Sequence, residues 1–105
     1  MSIDSIKILI ADSSPVYKKM FLSAIQEVDK SVVVTCVSDG KDAVDNIIRK
    51  SPDIVIADAE IQGTGLLEIL NLIMIDTPKT FILVTARPSS TSAKTFIMKL
   101  SNSHR

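Results

Sequence analysis

The sequence predicts an α/β domain built on a doubly wound parallel sheet, and three observations predict it. Four short apolar runs, at 6–11, 32–37, 54–57 and 80–84, show no apolar/polar alternation, which is the pattern of strands covered on both faces. Three stretches between them carry apolar residues at helical spacing. The two kinds of segment alternate as β-α-β-α-β-α-β, the order of a parallel sheet whose right-handed crossovers place helices on its faces. A chain of 105 residues suits one domain, 1–105.

The first strand runs over 6–11 and is interrupted by Asp12-Ser13-Ser14-Pro15. Ser14 suits a helix N-cap and Pro15 a first helical position, where a missing N–H costs nothing. Val16, Met20, Ala24, Ile25 and Val28 then recur at helical spacing, giving an amphipathic helix over 15–28. The second strand, 32–37, is rich in β-branched residues. Cys36 lies in it and reads as a small buried hydrophobe. Ser38-Asp39-Gly40 is turn chemistry. Ala43, Val44, Ile47 and Ile48 form the next helical stripe, ending near Lys50. The third strand, 54–57, stops at Asp58. Gly63 and Gly65 mark a loop, and 66–75 is a very apolar third helix broken by Asp76-Thr77-Pro78. The fourth strand, 80–84, ends at Thr85. Met20, Met74 and Met98 are expected in the core.

Composition narrows the function. Twelve basic and twelve acidic side chains leave no net charge, against the basic excess that a phosphate backbone rewards, so no nucleic-acid partner is expected. One cysteine allows no intrachain disulfide. There is no apolar stretch of about 18 residues and no signal peptide, so no membrane association is expected and a soluble cytoplasmic protein is. Gly63-Thr64-Gly65 begins like a dinucleotide loop, but no third glycine follows and it comes after the third strand. Nothing resembles a nucleophilic triad, and no enzyme is expected.

In an open parallel sheet, ligands bind beyond the carboxyl ends of the strands, where strand order reverses. The first strand ends at Asp12, the third at Asp58 and the fourth at Thr85. Two acids and a hydroxyl therefore converge on one crevice. Clustered carboxylates repel unless a cation lies between them, and hard oxygen ligands suit Mg²⁺. A single acid past a strand end is commonly a cap or a solvated turn residue; the conjunction of three groups favours a functional site.

These residues carry a resemblance. Lys7-Ile8-Leu9-Ile10-Ala11-Asp12-Ser13-Ser14-Pro15, Ser38-Asp39-Gly40-Lys41-Asp42-Ala43-Val44, the segment from Pro52 through Asp58 to Gly63, and Phe81-Ile82-Leu83-Val84-Thr85-Ala86 follow one another at the right spacing. Together they resemble the response-regulator receiver domain of two-component signalling, most closely the regulatory domain of chemotaxis methylesterases. The resemblance implies a flavodoxin-like sheet of order 2-1-3-4-5. It implies that Asp58 accepts a phosphoryl group from a sensor histidine kinase or another donor. Asp12, Asp58 and the backbone carbonyl of Glu60 would hold Mg²⁺, and Thr85 would be the switch hydroxyl. The chain departs from the family at Ser13, which stands where a second acid normally touches the metal. It departs again at Gln62, where proline is common, and at Gly65-Leu66, which replaces the usual Asp-Gly.

The segment after Thr85 has two readings. Residues 90–100 form the fourth helix, with Ala93, Phe96, Ile97 and Leu100 on one face; or Thr95-Phe96-Ile97-Met98-Lys99 is the fifth strand, and Lys99 pairs with the phosphoryl group. The second fits the Phe-x-x-Lys spacing and the weak helix propensity of residues 87–92. In either case the C-terminal helices are expected to be reduced or missing, and a homodimer or companion domain to cover the apolar surface. Two functions compete: a phosphorylatable switch with Mg²⁺, and a pseudo-receiver, which keeps the fold as an interaction or dimerisation module and has lost the chemistry; a third, a small phosphatase using Asp58 as nucleophile, is disfavoured.

Overall fold

The structure, a computed structural model, describes residues 5–86. The elements run β1 (Lys7–Ala11), α1 (Pro15–Val28), β2 (Val33–Val37), α2 (Gly40–Lys50), β3 (Ile54–Asp58), α3 (Leu66–Asp76) and β4 (Phe81–Thr85). All strand pairs are parallel and the order is β2-β1-β3-β4. The expected fold and its first four strands are therefore present in the expected order. Residues 90–100, Lys99 and Met98, with the alternatives of a fourth helix or a fifth strand, lie outside the described residues.

Strand alternation sends successive side chains to opposite faces, and each face has its own core. Leu9, Ala11, Val55 and Ala57 pack with Ala43 and Ile47 of α2 and Leu66, Ile69 and Ile73 of α3. Ile8, Ile10 and Ile56 meet Phe21, Leu22 and Ile25 of α1. The central strands β1 and β3 are thus covered on both sides, which is why their sequences are unbroken apolar runs.

Local chemistry sets the helix ends. The Ser14 hydroxyl accepts from Tyr17 N at 3.2 Å ahead of Pro15, and the Asp39 carboxylate accepts from Asp42 N at 2.9 Å. Far from the strand ends that hold the acids, Asp53 joins three strands. Its carboxylate accepts from Lys7 N at 2.8 Å, its N–H donates to the Lys7 carbonyl at 2.8 Å, and its carbonyl accepts from Phe81 N at 2.9 Å. The Thr80 hydroxyl adds a bond of 2.7 Å to the Pro52 carbonyl.

Four expectations need correction. The stripe of α1 that meets the sheet is Phe21, Leu22 and Ile25, whereas Val16, Met20 and Val28 are exposed at 66%, 57% and 88%. The helix carries two apolar columns, and the sheet takes only one. Ile48 belongs to the α2 stripe by spacing but lies exposed, one residue past the buried Ile47. Met20 and Met74 are surface residues, not core. Cys36 is exposed because β2 is an edge strand. The desolvation that remains pushes its thiol pKa up, with the Lys18 ammonium pulling the other way.

Candidate functional site

Parallel pairing brings the predicted residues to one edge. Ala11 pairs with Ala57 across β1 and β3, so Asp12 and Asp58 are the next residues on neighbouring strands. Asp58 in turn pairs with Thr85 across β3 and β4. Adjacent strands lie about 4.8 Å apart, so the three residues stand in a row at the carboxyl end of the sheet. Asp12 and Asp58 are each 3% exposed, and with Asn46 they are the buried polar residues among those described.

Both carboxylates are held in the same way. Asp12 Oδ1 accepts from Ser14 N at 2.8 Å, and Asp58 Oδ1 accepts from Glu60 N at 3.2 Å. Each is a turn closed by the amide two residues on, the local geometry that aspartate favours after a strand. These amides fix the orientation of the acids, a contact that the residue pattern alone does not reveal. Main-chain bonds lock the edge further: Asp12 N donates to the Val37 carbonyl at 3.1 Å, and Ala59 N to the Thr85 carbonyl at 2.8 Å. The Thr85 hydroxyl donates to the Ala57 carbonyl at 3.5 Å, a long and weak bond.

The donors can be weighed against Mg²⁺. Among the described residues, no group of three or more His, Cys, Asp or Glu side chains is arranged to hold a metal. Two buried carboxylates stand side by side, and the Ser13 side chain beside them is exposed. Mg²⁺ keeps several waters and takes one or two carboxylates, so this set fits a weak open site and not a closed cage. The Glu60 carbonyl, the expected third donor, accepts from the Gln62 side-chain amide at 3.4 Å. A carbonyl has two lone pairs, so that bond occupies part of its capacity.

The β3–α3 loop, residues 59–65, leaves Asp58 and returns against α2. Ile61 N donates to the Asp58 carbonyl at 3.1 Å, and Gly40 N to the Gln62 carbonyl at 2.7 Å. Gly63 takes φ +81°, a left-handed conformation that glycine adopts without penalty.

No family model matches the chain. Solved structures do. The N-terminal domain of an uncharacterized protein from Wolinella succinogenes is 24% identical, with a TM-score of 0.74 over 92% of this chain and 75% of that one. A chemotaxis response regulator of Vibrio cholerae is 20% identical, with a TM-score of 0.73 over 88% of this chain and 77% of its own. A response regulator of Burkholderia pseudomallei, solved with a phosphorylated aspartic acid and a calcium ion, is 17% identical, with a TM-score of 0.70 over 90% of this chain and 55% of its own. The sheet order, the layering and these likenesses agree: the chain has the flavodoxin-like α/β fold of response-regulator receiver domains.

Proposed function

We propose that the chain is a two-component signalling receiver in which Asp58 accepts a phosphoryl group. The observation that carries this reading is the row Asp12–Asp58–Thr85, with both acids buried at the carboxyl edge of a receiver-type sheet. A Burkholderia relative in fold carries a phosphorylated aspartic acid with a calcium ion, which supports the same chemistry and a divalent ion here. The receiver fold supports a phosphoryl donor such as a sensor histidine kinase as the partner.

A carboxylate oxygen of Asp58 forms a bond to phosphorus while the bond from phosphorus to the donor's leaving group breaks, and the electron pair departs with that group. The Glu60 amide donates to the carboxylate and holds its orientation. Thr85 exchanges its weak bond to the Ala57 carbonyl for one to a phosphoryl oxygen, which couples the new charge to the position of β4. Asp12, Asp58 and the Glu60 carbonyl would hold Mg²⁺, which would supply positive charge beside the phosphoryl oxygens.

Incubation with acetyl phosphate and Mg²⁺, read by intact mass, tests this. A phosphate adduct that is lost in Asp58→Asn is expected. A chain that stays unmodified at tens of millimolar Mg²⁺ would favour the pseudo-receiver, for which the specific observation is the exposed Ser13 in place of an acid.

A further inference from the structure

We infer that Gly40, on α2, is a positioning residue for the Asp58 site: its missing side chain is the seat of the loop that carries Glu60. The inference rests on the receiver reading for what the site does, and on geometry alone for what Gly40 does.

A Cβ built on Gly40 would lie 1.8 Å from the carbonyl oxygen of Thr64, 2.7 Å from its carbonyl carbon and 2.9 Å from its nitrogen. All three are main-chain atoms, so no side-chain rotation relieves the overlap. The loop would have to retreat from α2 by at least an ångström. That same contact surface includes the 2.7 Å bond from Gly40 N to the Gln62 carbonyl. Gly63 sits against it as well, 3.7 Å from Gly40 N and from Lys41 N when given a Cβ of its own. The loop is therefore seated at 62–64 on α2 and tied at its other end by Ile61 N to the Asp58 carbonyl and by Glu60 N to the Asp58 carboxylate. Glu60 lies two residues from the seat, so a displaced seat reaches the group that orients Asp58. Asp58 is 3% exposed, and the lie of this loop decides how a donor meets it.

Helix propensity points the other way. Replacing a helical glycine with alanine ordinarily favours the helix. A harmful Gly40→Ala is thus a signature of the loop contact and not of α2 itself. Gly65 supplies the control in the same loop, since its added Cβ would meet the end of the flexible Glu68 side chain at 2.7 Å.

The test compares wild type, Gly40→Ala and Gly65→Ala by amide NMR without any phosphoryl donor, then by acetyl phosphate labelling with Mg²⁺. In Gly40→Ala the amides of Glu60, Ile61 and Gln62 are expected to move while those of Leu9 and Val55 hold, with Gly65→Ala leaving Glu60 unmoved. Labelling of Gly40→Ala is expected to slow about a hundredfold, the scale of an ångström misplacement at a reacting group. A Glu60 amide that stays in place in folded Gly40→Ala would overturn the inference, as would a displacement spread evenly over the sheet. If Gly40→Ala does not fold, a glycine inserted between Gly63 and Thr64 in that background is expected to restore folding by giving the main chain room; failure to restore it would also overturn the inference. An unlabelled wild type sinks the receiver reading and leaves the NMR comparison to decide the role of Gly40.

Discussion

Asp58 and Thr85 are register partners on β3 and β4, and the Thr85 hydroxyl donates at 3.5 Å to the carbonyl of Ala57, the residue that precedes the acid. The hydroxyl is held loosely enough to leave. Thr85→Ala is expected to change stability by about 1 kcal/mol or less, the worth of a weak neutral hydrogen bond. Its affinity for beryllofluoride with Mg²⁺ is expected to drop about tenfold, because a hydrogen bond to a charged group is worth more. Thr85→Ser keeps the hydroxyl and should retain most of that affinity. Titration followed by NMR reads both variants; equal affinity in wild type and Thr85→Ala would remove Thr85 from the site.

Ser13 sits exposed beside the buried Asp12. Ser13→Asp adds a third acid to the edge and is expected to raise Mg²⁺ affinity about tenfold or more. Without metal the same change adds like-charge repulsion and is expected to lower the melting temperature. With Mg²⁺ the order should reverse, since binding to the folded state alone stabilises it. Melting curves with and without Mg²⁺ check both halves; no crossing of the two would count against a metal site at Asp12.

Helix α2 makes a sharp contrast between neighbours on the sequence. Ile47 and Ile69 are fully buried, whereas Ile48 is 57% exposed. Ile69→Ala is expected to cost about 2–5 kcal/mol through lost contacts and a cavity. Ile48→Ala is expected to stay within about 0.5 kcal/mol. Chemical denaturation of Ile48→Ala beside Ile47→Ala, which is expected to cost as much as Ile69→Ala, would settle the assignment of the α2 face.

Asp29, exposed after α1, accepts from the Ser31 hydroxyl at 2.7 Å and from Ser31 N at 2.9 Å. These two bonds hold its pKa below the ordinary carboxylate value, the hydroxyl contributing most. A lowered folded-state pKa gives a contribution that is present above the unfolded-state value and lost as pH falls through the folded one. The residue is solvated, so the effect on global unfolding is small and the site pKa is the quantity to follow. In Ser31→Ala the Asp29 pKa is expected to rise part of the way back, the amide bond remaining. An NMR pH titration that shows no rise would refute the hydroxyl's role.

Much of this was legible in the chain. The apolar runs placed β1 to β4 within about a residue of their ends. Ser14-Pro15 fixed the start of α1, and strand ends alone put Asp12, Asp58 and Thr85 on one edge. What was not legible has physical causes. Helix α1 has apolar residues on two columns, so periodicity could not say that Phe21, Leu22 and Ile25 face the sheet. An apolar run names a strand and not its rank in the sheet, which is why Cys36 looked buried and lies at an edge. Ser38-Asp39-Gly40 reads as a turn, and Gly40 is in fact the first residue of α2. The reason for a glycine there is a main-chain contact with Thr64, which no local pattern encodes.

Asp53 gives the sheet a pinned end. Through its carboxylate, N–H and carbonyl this one residue spans β1 and β4 from the start of β3, at the end opposite Asp12 and Asp58. The feet of three strands are therefore tied through one residue. The register that aligns Asp12, Asp58 and Thr85 is thus set from the far end of the strands as well as by the bonds of Asp12 N and Ala59 N beside the acids.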